Sequence, residues 1–334
     1  MKALVLQNGF GYENLAVVDR PEPTPGPGQV ALRVRAASLN YRDLMIAKGL
    51  YNRNMALPRV LGSDGAGEVS AVGSGVTQWK PGDRALGCFF QNWSDGPISD
   101  AATRGALGGD RDGVLAQTVV LEESGLAAIP GSLGFEQAAC LPCAALTAWH
   151  ALHDAQCGPG KTVLVQGTGG VSLFALQFAK ALGAKVLITS GHDDKLTRAK
   201  GLGADAGTNY KSDPEWDKWA RQQTGGVGVD AVVEVGGAGT LERSAKAVRT
   251  GGHIALIGVL AGVGAFNPMN VLMKAVTLQG VFVGSRAMLE AMNRFVAEKG
   301  IAPVIDRTFP LADAVAALKH LESGSHFGKI VVTV

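Results

Sequence analysis

From residue 162 to residue 283 the chain alternates short apolar runs with amphipathic ones, and glycine stands at most of the junctions. The apolar runs 162–166, 185–189, 231–235, 253–257 and 278–283 are short and rich in valine, leucine and isoleucine. Bounded by glycine, such runs read as strands buried on both faces. Between them 170–182, 193–202, 216–223 and 241–248 carry helical periodicity. A succession of strand–helix–strand units closes in one hand only, and gives a parallel sheet with helices on both sides. This expectation of an α/β, doubly wound sheet constrains the chain more than any single residue does.

One junction carries chemistry. The strand 162–166 runs directly into Gly167-Thr168-Gly169-Gly170-Val171-Ser172, and an amphipathic helix follows. Gly167 permits the tight turn, and Gly169 lets backbone amides approach a pyrophosphate. The helix start at Gly170 and Val171 supplies oriented N–H donors and a positive partial charge. Ser172 stands where a third glycine is usual. In this strand–turn–helix setting the turn reads as a nicotinamide dinucleotide site that serves hydride transfer. The second strand distinguishes the cofactors. An NAD site usually ends that strand with an acid for the ribose 2′-hydroxyl. Here Ser190-Gly191-His192 occupies the end, with Lys195 one helical turn on. Small neutral residues beside a cation favour a 2′-phosphate, hence NADP(H). Asp193 and Asp194 fall in the next helix's first turn, where acids offset the helix dipole. Val235-Gly236-Gly237, Ile257-Gly258 and Val283-Gly284 also end strands, so Gly258 and Val283 are expected beside the nicotinamide.

The flanking regions have a different texture. Residues 1–125 are mostly β, with strands expected at 2–6, 29–36, 66–72 and 114–121 and a long aperiodic loop at 87–113. In that loop Phe89, Phe90 and Trp93 either shape a substrate pocket or pack the loop. A helix over 136–156 breaks near Pro142, and helices at 288–298 and 312–322 precede a closing strand at 329–334. At 334 residues the chain suits two domains. A hydrophobic content of 46% with 18% charged residues describes a soluble globular protein. A net charge of +2 offers no footprint for nucleic acid or an anionic membrane. The N-terminus reads as a strand rather than a leader, no run is long enough to span a bilayer, and four cysteines suit a reducing compartment. A cytoplasmic protein acting on a small molecule is expected.

Several motifs, taken in order, resemble the medium-chain dehydrogenase/reductase superfamily over nearly the whole chain. They are Asn40-Tyr-Arg-Asp43, Leu61-Gly-Ser-Asp-Gly-Ala-Gly67, Pro81-Gly-Asp83 and Pro142-Cys-Ala-Ala-Leu-Thr-Ala-Trp149. Residues 165–180, Gly203-Ala-Asp205, Asn209-Tyr210 and Gly225-Gly-Val-Gly-Val-Asp230 continue the series. The resemblance implies a GroES-like, β-rich catalytic domain (1–125 and 286–334) around a Rossmann domain (126–285). In the zinc enzymes of that family the ligands are Cys, His and Cys; here the corresponding residues are Asn40, Ser63 and Cys143, and no metal is expected. The remaining C-x-x-C, Cys140 to Cys143, reads as buried structural cysteines.

Without zinc the pattern is most similar to the quinone oxidoreductase-like branch, which implies hydride transfer to an electron-poor C=C or C=O bond of a quinone, enone or enoyl compound. The resemblance places Asn40 and Thr147 near the nicotinamide, Lys195 and Tyr210 at the 2′-phosphate and Lys329 near the phosphates. It offers Tyr41 and Tyr51 as proton donors, Tyr51 at the position of a tyrosine used by enoyl-thioester reductases; a cleft-wall aromatic is the other reading of Tyr51. Asp43 and Asp64 read as structural, with Arg42 orienting Asp64. The resemblance implies a homodimer, since in this family an apolar edge such as 278–283, exposed in a monomer, commonly pairs across a two-fold. A zinc-type alcohol dehydrogenase and a non-catalytic NADPH-binding sensor are the alternatives.

Overall fold

The glycine-bounded apolar runs assemble into one six-stranded parallel sheet in a computed structural model that describes residues 1–262 and 264–334. Its order is Ala206–Asn209, Lys185–Ser190, Thr162–Gln166, Val229–Glu234, Val248–Leu256, Thr277–Gly280, and every neighbouring pair is parallel. Chain direction across the sheet reverses between Thr162–Gln166 and Val229–Glu234, the switch point where such sheets bind ligands. Val163, Leu164, Val165, Val186, Leu187 and Ile188 are buried completely, as strands covered on both faces must be.

Three details differ from the pattern in the sequence. The edge strand Ala206–Asn209 has too little apolar content to announce itself and is held by pairing with Lys185–Ser190. Val248–Leu256 begins before its apolar core, running through Thr250-Gly251-Gly252 after a register shift against Val229–Glu234. The last strand stops at Gly280; Val281 still donates to the Leu256 carbonyl (2.9 Å), but Val283 has a left-handed φ of 57°, which ends extended pairing.

Contacts divide the chain into Thr147–Phe282, which carries this sheet, and Met1–Leu146 with Val283–Val334. The second of these units holds a sheet in the order Ile305–Pro310, Lys329–Thr333, Gln29–Ser38, Asp64–Val72, Arg84–Gly87, Leu126–Ala128, with Thr118–Glu122 also paired to Gln29–Ser38. A smaller sheet joins Leu15–Asp19, Lys2–Leu6 and Arg59–Val60. The division falls at Leu146 rather than at 125 because Leu126–Ala128 pairs with Arg84–Gly87. The expected strand 114–121 pairs regularly only from Thr118. Before that it is a strap whose Leu115 carbonyl accepts from Leu4 N–H (2.8 Å). The loop 87–113 contains a short helix, Asp100–Thr103, and Phe89, Phe90 and Trp93 are buried within the unit, so they pack the loop. Pro142 breaks the expected helix as foreseen: Phe135–Ala138 is followed by a wide turn, Leu141–Ala145, and then Leu146–Asp154.

The C-terminal strand pairs antiparallel with Gln29–Ser38, Val331 opposite Ser38. Continuing that register brings Lys329 opposite Asn40, joining the two ends of the chain at one point. In Asp64–Val72, on the other side of Gln29–Ser38, Gly67 lies so close to the Arg33 carbonyl that a Cβ would overlap backbone. Gly67→Ala is therefore expected to cost about 2 kcal/mol and lower the thermal midpoint. Gly131→Ala, where nothing lies within 4 Å, should stay within about 0.5 kcal/mol. Equal midpoints for the two variants in a thermal melt would refute this account of Gly67.

Candidate functional site

In the Rossmann unit the glycine turn is built as its residues demand. Gly167 sits at φ 72° and donates to the Thr189 carbonyl (2.8 Å), and its left-handed backbone favours glycine. A Cβ placed on Gly169 meets nothing within 4 Å, so the turn is open on that side. Gly170 and Val171 begin the helix Gly170–Ala181, whose first N–H groups have no partner within the helix. Ser172, at the third glycine position, turns its hydroxyl back to donate to the Gln166 carbonyl (2.6 Å), tying helix to strand.

A residue that the sequence pattern does not single out organises the switch point. Glu234 ends its strand fully buried and accepts from Gly236 N–H (2.8 Å), Gly237 N–H (3.1 Å) and the Thr240 hydroxyl (2.5 Å) on one oxygen. Its other oxygen accepts from Gln166 Nε2 (2.7 Å) and the Ser244 hydroxyl. Gln166 Oε1 in turn accepts from Val235 N–H (3.3 Å). The carboxylate thus locks the ends of two adjacent strands at the point where the glycine turn starts. The available signal was an acid inside an apolar run, with glutamine at the matching end of its neighbour. Gly258 belongs here too: a Cβ on it would overlap the Val235 carbonyl, so its glycine serves close backbone approach.

At the end of Lys185–Ser190 the Ser190 carbonyl accepts from Tyr210 N–H (3.0 Å), and Ser190 Oγ accepts from His192 N–H (3.4 Å). The Tyr210 hydroxyl lies against Gly191, 2.8 Å from where a Cβ would stand. Lys195 is buried in the first turn of the helix Asp193–Gly201. Ser190, Tyr210 and Lys195 are therefore gathered on segments that meet at one strand end. Asp193 accepts from Asn209 Nδ2 (2.8 Å), so this acid is engaged within the protein. Thr147 is buried at the start of its helix.

In the GroES-like unit the candidate residues form a chain of hydrogen bonds. Lys329, 3% exposed, donates from Nζ to the Leu39 carbonyl and to Asn40 Oδ1, both at 2.6 Å. Asn40 Nδ2 donates to Ser63 Oγ (3.3 Å), Ser63 donates to Asp64 Oδ1 (2.7 Å), and Asp64 Oδ2 accepts from Cys143 N–H (3.0 Å). Asp43 accepts from Asn40 N–H (2.8 Å). Burial pushes the Asp43 carboxyl up to about 6 against the pull of the Asn40 N–H and the Arg42 charge. Burial likewise raises Asp64, with Lys329 opposing it. The ammonium expected at phosphates is in this structure directed inward, onto the residue opposite it in the sheet.

Arg42 does not orient Asp64. Its guanidinium lies between the rings of Tyr51 (4.8 Å) and Phe89 (4.7 Å) and donates to the Leu107 carbonyl (2.8 Å), while its buried Nε has no partner. Tyr51 and Tyr41 are both exposed. Val283, expected beside the nicotinamide, falls in this unit and is buried. The thiols of Cys140 and Cys143 are free. Cys140 is fully buried, its thiol pushed up to about 12 by burial, and Cys143 is partly buried.

Zinc requires a donor set that this chemistry does not provide. An amide, a hydroxyl and a single cysteine supply neither an imidazole nitrogen nor a second thiolate, and one thiolate does not make the three-ligand set that zinc takes. The Asn40 oxygen is already taken by an ammonium. Among the described residues, no group of three or more His, Cys, Asp or Glu is arranged to hold a metal ion. The residues present do not fit zinc.

Residues 26–131 match the alcohol dehydrogenase GroES-like domain, and residues 170–298 match the zinc-binding dehydrogenase family. A zinc-type alcohol dehydrogenase-like protein of Schizosaccharomyces pombe is 44% identical, covering 97% of this chain and 96% of its own. Acryloyl-coenzyme A reductase of Metallosphaera sedula is 30% identical with full coverage of both chains, and quinone oxidoreductase of Rattus norvegicus is 31% identical over 93% of this chain and 90% of its own. Among solved structures, an NAD-dependent alcohol dehydrogenase superposes with a TM-score of 0.92 at 39% identity, and a mycobacterial protein complexed with NADPH with 0.85 at 29%, both with full coverage of each chain. With a GroES-like unit, a Rossmann unit and relatives of this kind along its whole length, the chain belongs to the medium-chain dehydrogenase/reductase superfamily and is one of its oxidoreductases.

Proposed function

We propose that the protein is an NADP(H)-dependent, zinc-independent oxidoreductase that transfers hydride to an electron-poor C=C or C=O bond of a quinone, enone or enoyl compound. The observation that carries this reading is the donor set at Asn40, Ser63 and Cys143, where a buried ammonium engages the amide in place of a metal ligand sphere. A centre without a Lewis acid suits a substrate whose carbon is already electrophilic. The names of the Rattus and Metallosphaera relatives agree with that substrate class.

When bound, the reduced dinucleotide supplies the hydride. Gly167, Gly169, Gly170 and Val171 would hold its pyrophosphate through backbone N–H groups, and Thr147 and Gly258 would border its nicotinamide. Ser190, Lys195 and Tyr210 take the 2′-phosphate, a choice supported by the absence of an acid at the end of Lys185–Ser190 and by the mycobacterial NADPH complex. Asn40 steadies the substrate oxygen as charge builds on it. Tyr51 or Tyr41, both exposed, delivers the proton.

The edge strand Thr277–Gly280 is unpaired on its outer side and leaves Leu278 exposed, and the helix Met269–Met273 leaves Leu272 70% and Met273 74% exposed. A homodimer formed on this edge is the proposed assembly, because an unpaired edge strand beside exposed apolar side chains is otherwise an association hazard. Light scattering should give twice the chain mass, and a monomer mass would sink this assembly.

The reaction itself is tested by following NADPH and NADH oxidation against quinones, enones, enoyl thioesters and aldehydes, on protein whose metal content is measured. Turnover of the electron-poor acceptors, a kcat/KM for NADPH at least about tenfold above that for NADH, and sub-stoichiometric zinc are expected. A preference for NADH would overturn the cofactor reading, and one zinc per chain the metal reading. If no acceptor is reduced although NADPH binds, a sensor is the better description. Tyr51→Phe separates the two proton donors: kcat should fall by about ten- to a hundredfold with little change in dinucleotide KM. Full turnover by that variant removes Tyr51 from the mechanism.

A further inference from the structure

We propose that Lys329 and Asn40 act as one unit, the ammonium holding and polarising the carboxamide that meets the substrate oxygen, so that Lys329 is a positioning residue for the reaction. This deepens the proposed reaction and rests on it. A lysine ammonium has only donors, so the amide oxygen of Asn40 must face it and the NH₂ group must face Ser63. The orientation of the carboxamide is thereby dictated by charge. Polarity then runs one way along the chain, from ammonium to amide to hydroxyl to carboxylate, and each bond strengthens the next.

Exposure identifies the member that can meet a ligand. Ser63 and Asp64 are fully buried and Lys329 is 3% exposed, whereas Asn40 keeps 9%. Withdrawing electron density at Oδ1 makes Nδ2–H a stronger donor, so the lysine acts on the substrate through the asparagine. The second bond of the ammonium, to the Leu39 carbonyl, pins it to the residue that precedes Asn40. No covalent step is assigned to Lys329.

The test compares Lys329→Met, Lys329→Arg, Asn40→Ala and the Lys329→Met/Asn40→Ala double variant. Readouts are kcat with the best acceptor and the dinucleotide Kd from protein fluorescence. Lys329→Met should lower kcat by about ten- to a hundredfold while Kd moves by less than about twofold. Lys329→Arg, which keeps charge and donors, should recover most of the loss. The double variant should be no slower than the worse single variant, because two members of one unit are removed once. Unchanged kcat in Lys329→Met, or weakened dinucleotide binding with kcat retained, overturns the proposal; the latter result would assign the lysine to cofactor phosphate. Additive losses also overturn it. Lys329→Met removes the cation that offsets the buried Asp64 and so threatens folding. If it does not fold, Lys329→Met/Asp64→Asn is compared with Asp64→Asn alone, with the same expectation. A wild-type protein that reduces no acceptor brings down the proposed reaction and this pairing together, whereas an active wild type with indifferent Lys329 variants brings down the pairing alone.

Discussion

The pairing of Lys329–Thr333 with Gln29–Ser38 is the contact on which the candidate site depends. It closes the sheet of the GroES-like unit with residues from opposite ends of the chain, and its register sets a cation against Asn40. Without it, Asp43 and Asp64 would be buried carboxyls facing only hydrogen-bond donors and Arg42. A buried charge costs several kcal/mol unless paired or well hydrogen-bonded. The strand therefore supplies both backbone pairing and the charge that makes the neighbouring acids tolerable. Their raised proton affinity shows that the compensation is incomplete, with desolvation outweighing Lys329 at Asp64.

Glu234 in the Rossmann unit solves the same problem by other means. It relies on two backbone N–H groups, two hydroxyls and an amide. Those donors come from both sides of the switch point, so satisfying one carboxylate fixes the shape of the loop that follows Glu234 and the strand end that precedes Gly167. Rigidity at this place matters because a pyrophosphate held by backbone N–H groups tolerates little displacement. The same loop needs glycine at 258 to let two backbones touch.

What was legible in the sequence was local. The strand 162–166, the turn 167–172 and the helix after it lie within about twenty contiguous residues, and apolar period, glycine placement and helix start agree there. The edge strand Ala206–Asn209 was not legible, since four residues with one glycine have no period and are extended by their neighbour. The place of Leu126–Ala128 in the GroES-like unit is set by a distant partner, Arg84–Gly87, and not by its own sequence. Asn40, Ser63 and Cys143 are legible as motif positions, but the bonds Lys329–Asn40, Asn40–Ser63 and Cys143–Asp64 join residues that lie far apart in the chain. Arg42 shows the limit of motif reading: it lies in the same motif as Asp43, yet packing holds its guanidinium between two aromatic rings and not on Asp64.

An ammonium and a metal ion are not equivalent solutions to the need for positive charge beside a reacting oxygen. A zinc ion binds the oxygen directly and withdraws electrons through a coordinate bond. An ammonium acting through a carboxamide offers a hydrogen bond strengthened by charge, a weaker pull that is set in place by the fold. Strong polarisation matters most for simple carbonyls and alcohols, whose carbon is a poor hydride acceptor or donor without it. On the proposed reading, the bonds from Lys329 through Asn40 to Ser63 therefore favour acceptors that bring their own electron deficiency. The architecture needs no change to make that difference, because the donors that distinguish the two chemistries lie within a few side chains of one sheet corner.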